Sequence, residues 1–188
     1  MWIALAVVAL LAVAAVTIYN GFVRLRLQCD NAWADIDVQL KRRHDLIPNL
    51  VETVKGYASH EQETLNGVVA ARSRAMTAQT PGARAEAEGA LTQALKSLFA
   101  LAEAYPQLRA VETFSQLQTT LGEIEDALQS ARRYHNAVVR DFNTRVAQFP
   151  SNLIAAVFGF TPKEFFELTT AAEREVPQVR FGGKNSEK

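Results

Sequence analysis

The sequence is poor in the residues that most chemistry needs. It has one cysteine and three histidines in 188 residues. A single cysteine cannot form an internal disulfide framework. The residues three places before His44, His60 and His135 are Lys41, Tyr57 and Arg132, so the Glu-x-x-His pairs that build di-metal centres inside helical bundles are missing. His60-Glu61 begins a zinc-protease motif, but Thr64 stands where the second imidazole belongs. Gly182-Gly183-Lys184 lacks both the upstream glycine and the following Ser or Thr of a phosphate loop. No nucleophilic serine elbow is present. These absences predict a protein that is not an enzyme, with no catalytic residue, no metal and no cofactor. The charge balance adds to this, because 20 basic and 20 acidic side chains give no net charge. That argues against nucleic acid or a polyanionic small-molecule substrate as the partner.

Charge is also missing from one place in particular. Residues 1–23 contain no Lys, Arg, Asp or Glu, and from Trp2 to Ile18 only Thr17 is polar. A hydrocarbon core of roughly 30 Å takes about 20 helical residues, with Trp and Tyr favoured at its edges. Trp2, Leu10, Leu11 and Tyr19 are therefore read as anchor residues of a single transmembrane helix over 1–23. A cleaved signal would begin with basic residues, run shorter and end in a small-residue site. Only Ala12-Val13-Ala14 resembles such a site, and the helical pattern continues past it to Phe22 and Leu25. Arg26-Leu27-Gln28 is too bulky and charged for lipidation of Cys29. No basic residue precedes the span, whereas Arg24, Arg26, Lys41, Arg42 and Arg43 follow it. The positive-inside rule then places the N-terminus outside and the remaining domain in the cytoplasm.

Beyond the span the apolar residues recur at helical intervals. Phe22, Leu25, Cys29, Trp33, Ile36 and Leu40 form one stripe of a helix ending near Arg43. Asp45 is a candidate N-cap, with Pro48 in the first turn of a second helix. Its face would carry Ile47, Leu50, Val54, Tyr57, Leu65, Val68 and Met76, before Thr80-Pro81-Gly82 turns the chain. The alternative is that Pro48 only kinks one continuous helix. A third helix runs from about Ala83 to Glu103 and closes at Tyr105-Pro106. A fourth, from Leu108 through Phe114, Leu121, Leu128, His135 and Phe142 to Phe149, keeps a nearly unbroken three-four alternation, like a coiled-coil seam. Helices with one apolar stripe and short connections bury those stripes against antiparallel neighbours. The expected class is all-α, with a transmembrane helix followed by an elongated up-and-down four-helix bundle over 24–150.

From residue 151 the character changes again. Leu153, Ile154, Val157, Phe158, Phe160, Phe165 and Phe166 crowd around Gly159 and Pro162. One reading is a short helical cap over 151–176 that closes the open end of the bundle. The other is a second contact with the membrane surface or a partner, since exposed apolar patches mark such sites. Phe158 and Phe160 are the candidate interaction residues on that reading. The polar residues 177–188, with Gly182-Gly183, read as a flexible tail.

Three polar features remain. Lys41-Arg42-Arg43 is a candidate interaction site for lipid headgroups or a protein, set against a solvated helix end. Glu61 and Arg72 fall near the apolar stripe and suggest a buried ion pair or a snorkelling pair. His135 lies on the seam of the fourth helix, as a hydrogen-bonded core histidine or a pH switch.

The run Ala32-Trp33-Ala34-Asp35-Ile36-Asp37-Val38-Gln39-Leu40-Lys41-Arg42-Arg43-His44-Asp45-Leu46-Ile47-Pro48-Asn49-Leu50-Val51-Glu52 closely resembles the LemA family. So do Ala71-Arg72, Ala131-Arg132-Arg133-Tyr134 with Asn136, Phe142-Asn143, and Phe149-Pro150 leading to Gly159-Phe160. His135 stands where a second aromatic residue is expected. The resemblance implies a single-pass protein of the bacterial inner membrane with a cytoplasmic helical bundle and no established activity or cofactor. Some relatives look connected with membrane-protease quality control and others with organising magnetosome membranes. The expected function is a non-enzymatic scaffold that organises partners or itself, with the lipid bilayer and a protein or a homo-oligomer as partners. The alternative is an adaptor or sensor in envelope stress.

Overall fold

A computed structural model describes residues 1–167. The chain is all-helical, with an apolar helix at its N-terminus, and no strand forms among the described residues. Residues 177–188 of the expected tail, and 168–176 of the expected cap, lie outside the described residues.

Helix α1 runs from Trp2 to Lys55 without a break, 54 residues or about 81 Å. Its most apolar window has a mean hydropathy of 2.5 and is 0% buried, so nothing within the described protein covers it. The expected helix start at Asp45 does not occur. Pro48 lies inside α1 with its ring toward solvent. Proline has no N–H to donate back four residues, which leaves the His44 carbonyl without its helical partner. Arg72 supplies the missing donor, because its Nε bonds that carbonyl at 2.8 Å. Of the two residues expected in a buried ion pair with other helices or a snorkelling pair, Arg72 makes this bond to a backbone carbonyl of α1, and Glu61 stands at the start of α2.

The break comes later than the sequence predicts. Gly56 closes α1 with its N–H donating to the Glu52 carbonyl, Tyr57 and Ala58 donate to the Val54 carbonyl, and the chain turns through Glu61 before α2, Gln62–Thr77. Tyr57 and Met76, assigned above to an apolar face, are 47% and 52% exposed, while Ala58 takes the buried position. The turn at Thr80-Pro81 forms as its residues dictate. The Thr80 hydroxyl accepts from the Ala83 N–H, and Pro81 occupies the first position of α3, Pro81–Glu103. A single turn, α4 (Pro106–Arg109), leads into α5 (Glu112–Ala147), and α6 (Ser151–Phe158) follows.

Helices α1 and α5 lie antiparallel along the molecule, from Phe22 against Phe142 to Arg43 against Glu125. Helices α2 and α3 cover only the half farther from the apolar segment. There Ile47, Leu50, Val54, Leu65, Val68, Leu91, Leu98, Leu108 and Phe114 form one core. A middle core gathers Ile36, Leu40, Ala85, Leu128 and Phe166. Nearer the apolar segment, Phe22, Cys29, Val138, Val139, Phe142 and Ala155 pack together. In that last region, among the described residues, α1 and α5 have no third long helix beside them, and α6 with the residues up to Phe166 takes that place. The described part of the aromatic segment, expected as a cap on the open end of the bundle, therefore lies along the flank of the helix pair.

Candidate functional site

Two constellations stand out, one polar and buried, the other aromatic and close to the apolar segment. The first centres on Arg43, whose side chain is 1% exposed. Its Nη1 donates to Glu88 Oε2 at 2.6 Å and its Nη2 to Thr92 Oγ1 at 2.8 Å. Its Nε lies 2.7 Å from Glu125 Oε1, a charge contact without hydrogen-bond alignment. The other Glu88 oxygen meets His44 Nε2 at 2.7 Å. Burial works to raise the Glu88 pKa, but the His44 bond and the Arg43 charge outweigh it and hold the carboxyl below its ordinary value. Arg132 packs its guanidinium 4.8 Å from the Phe166 ring centroid. Burial, then the like charge of Arg43, lowers its pKa.

This network ties α1 to α3 and α5. Its charges are engaged with one another: both oxygens of Glu88 are occupied, and all three guanidinium nitrogens of Arg43 face an oxygen. Among the described residues no group of three or more His, Cys, Asp or Glu could hold a metal ion. Taking two charges out of water is costly, and opposite charges within hydrogen-bond range offset that cost only while both are present. The arrangement therefore fixes which faces of three helices meet.

The second constellation is built where α1 leaves its apolar segment. Gly159 ends α6 in a left-handed conformation, φ 71°, which glycine adopts without penalty. The Phe160 N–H then bonds the Ala155 carbonyl at 2.9 Å and the chain reverses. That reversal stacks Phe160 on Phe22, with ring centroids 4.7 Å apart and planes at 15°. Phe158 meets Tyr19 at 4.7 Å. The chain then climbs alongside α5, held by two asparagines. Asn143 donates to the Lys163 carbonyl at 2.9 Å and accepts from the Lys163 N–H at 2.8 Å. Asn136 does the same for Phe166, at 3.1 and 2.9 Å. The spacing suits the job. Seven helical residues advance about 10.5 Å, and three residues at strand-like rise advance about 10 Å.

The predicted residues fall into different settings. Trp2, Leu10 and Leu11 are exposed on α1, and Tyr19 is partly covered by Phe158 and Phe160. The basic triplet is divided, because Lys41 and Arg42 face solvent while Arg43 is fully buried. On a helix these three point about 100° apart, so they do not present one surface. Lys41 pairs with Asp45 at 2.6 Å on the surface. Phe158 is 55% exposed, whereas Phe160 is packed inward. His135 is 4% exposed and sits against Trp33, with Nδ1 3.4 Å from Asn136 Oδ1. Sequence reasoning did not foresee the roles of Glu88, Asn136 and Asn143. The signal for Glu88 is a carboxylate in line, at helical spacing, with Leu91, Leu95 and Leu98.

Comparison with known families decides the relationship: the model described as the LemA family matches residues 32–181. The chain belongs to the LemA family. It is 25% identical over 189 residues to magnetosome protein MamQ 1 of Paramagnetospirillum magneticum, covering 86% of this chain and 70% of that protein. It is similar at 24% identity, with the same coverage, to magnetosome protein MamQ of Magnetospirillum gryphiswaldense. Protein LemA of Metamycoplasma hominis is 25% identical over 137 residues, 72% of this chain and 63% of that protein. None of these LemA-family names carries an enzymatic activity. They and the apolar α1 make this a membrane-associated helical protein.

Proposed function

We propose that the protein is a membrane-anchored, non-catalytic scaffold whose helical rod presents a fixed surface to a protein partner or to further copies of itself. The observation that carries this is the unbroken course of α1 from Trp2 to Lys55. A flexible linker would let a tethered domain sample all orientations. A continuous helix makes the direction of the rod depend on the direction of the span. The buried Arg43 network works the same way, by holding three helices in one arrangement.

The surface available for a partner lies on the half of the rod away from the apolar segment. Val38, Val69 and Met76 are all at least half exposed there. Met76 shares a groove of about 320 Å³ with Lys41, Asp45 and Arg84, between α1, α2 and α3. Basic residues just after the span support a rod on the cytoplasmic side of a bacterial inner membrane, with the N-terminus outside. Photocrosslinkers placed at Lys41, Val69 and Met76 in the full-length protein in cells test the proposal. A discrete crosslinked product from these positions, and none from buried Leu98, is the expected result. A protein that yields no product at any of them, and that sediments strictly as a monomer in mild detergent, overturns it.

A further inference from the structure

We propose that α6 is an interfacial helix, seated in the headgroup layer of the same bilayer that α1 crosses, so that the protein meets lipid at two places. This rests on the reading of α1 as a span. Three independent observations carry the inference. The first is composition. Residues 146–162, bounded by Arg145 and Lys163, contain no charged side chain and form the longest uncharged stretch after residues 1–23. The second is exposure. Phe149, Leu153, Val157 and Phe158 are 74%, 57%, 76% and 55% exposed, although Ala155 on the same helix is buried at 3%. Helix α6 thus sets Ala155 and Ile154 against the protein and turns Leu153, Val157 and Phe158 outward. In water that choice is unfavourable by roughly 25 cal/mol for each Å² of apolar surface left wet.

The third observation is depth. Tyr19 lies at the end of the apolar segment, five residues and about 7.5 Å before Arg24, the first charge. The Phe158 ring contacts Tyr19, which places the end of α6 on the hydrocarbon side of Arg24. The end of α5 reaches the same level. Arg145 lies across Gly21, its guanidinium carbon 2.7 Å from where a Cβ would stand, so a side chain there would push the guanidinium aside. That guanidinium rests 5.9 Å from the Phe22 ring centroid and lines a groove of about 520 Å³ with Ile18, Gln148 and Phe149. A cation at this level meets lipid phosphates while its stem stays among apolar groups. An exposed apolar face continuous with the surface of a span, and held at its edge, has lipid as its neighbour.

The test uses the full-length protein with Cys29→Ala, reconstituted in nanodiscs of phosphatidylethanolamine and phosphatidylglycerol. A nitroxide is attached at single cysteines introduced by Leu153→Cys or Val157→Cys, positions whose side chains touch little of the protein. Relaxation by oxygen, which favours lipid, is compared with relaxation by a water-soluble nickel chelate. Leu11→Cys serves as the reference inside the span and Val69→Cys as the reference on the rod. At 153 and 157 the ratio of oxygen to nickel accessibility is expected to exceed that at 69 several-fold and to approach that at 11. Ratios equal to that at 69 place α6 in water and overturn the inference while leaving the span intact. Low accessibility to both relaxants shows α6 covered by protein, a second copy included, and overturns it as well. A water-like ratio at 11 removes the span and the inference together.

Discussion

Arg72 and Pro48 offer the sharpest test of how this fold is held. Pro48 sits in the interior of α1, where proline ordinarily costs about 3 kcal/mol or more. Part of that cost is the His44 carbonyl, which has no amide four residues ahead. The Arg72 Nε–H occupies it at 2.8 Å. A hydrogen bond from a charged donor contributes about 1.5–3 kcal/mol, and Arg72 is only half-buried, so Arg72→Leu should cost about 2 kcal/mol. In a Pro48→Ala background the new Ala N–H reaches the His44 carbonyl from within the helix. The same Arg72→Leu change should then cost less than about 0.5 kcal/mol, an interaction energy of about 1.5 kcal/mol across the cycle. The four proteins can be compared at full length in detergent by urea unfolding. Trp33 fluorescence provides the signal, in a Trp2→Phe background. The midpoint should fall for Arg72→Leu and recover in the double variant. If the two substitutions add within about 0.4 kcal/mol, Arg72 does not substitute for the missing amide and the reasoning fails.

Other contacts make equally direct predictions. Glu88→Gln leaves the buried Arg43 and His44 without their shared anion and should destabilise by about 3–5 kcal/mol, seen as a lower thermal midpoint; Lys41→Ala, which breaks only a surface pair, should shift it by less than about 1 kcal/mol. Asn143→Ala removes both bonds to Lys163, so the Lys163 amide should exchange its hydrogen at least tenfold faster while amides around Leu98 keep their rates; unchanged protection at Lys163 would mean the segment is held by its aromatic rings alone. His135 is held below its ordinary pKa by burial, which outweighs the opposing Asn136 hydrogen bond, with a smaller lowering from the Lys163 charge. The unfolded chain therefore takes up this proton first, and stability should decline as pH falls below about 6.5. His135→Phe should remove that part of the slope, while the Glu88 contribution is lost only at lower pH, as acidification passes through its depressed folded value; identical slopes in wild type and variant between pH 7 and 5 would count against the His135 assignment.

Local pattern accounts for much of the architecture. Thr80-Pro81 starts a helix because a hydroxyl and a missing amide suit a first turn, and both are properties of neighbouring residues. The stripe on α5 is legible because an amphipathic helix repeats its own signal over its length. The continuity of α1 is not, since the partner that makes Pro48 tolerable sits on another helix. The break at Gly56 is hidden for a related reason. Val54, Tyr57 and Leu65 continue the apolar spacing, and only packing reveals that Ala58 is the buried residue there. The site was still harder to read. Arg43 looks identical to its basic neighbours until Glu88 and Glu125 are brought to it from elsewhere in the chain. Asn136 and Asn143 are ordinary polar residues on a helix until residues 163–166 arrive with unpaired backbone groups. In each case the deciding contact joins residues far apart in sequence.

The absence of a joint in α1 also has a mechanical side. With α1 crossing the bilayer as proposed, its stretch from Arg24 to Lys55 projects about 48 Å from the membrane. Rotating a stiff lever of that length by about 10° sweeps its tip through about 8 Å, comparable to the spacing between packed helices. A local change in lipid thickness or slope at the foot of the helix would thus be magnified at its far end, where Tyr57 lies exposed.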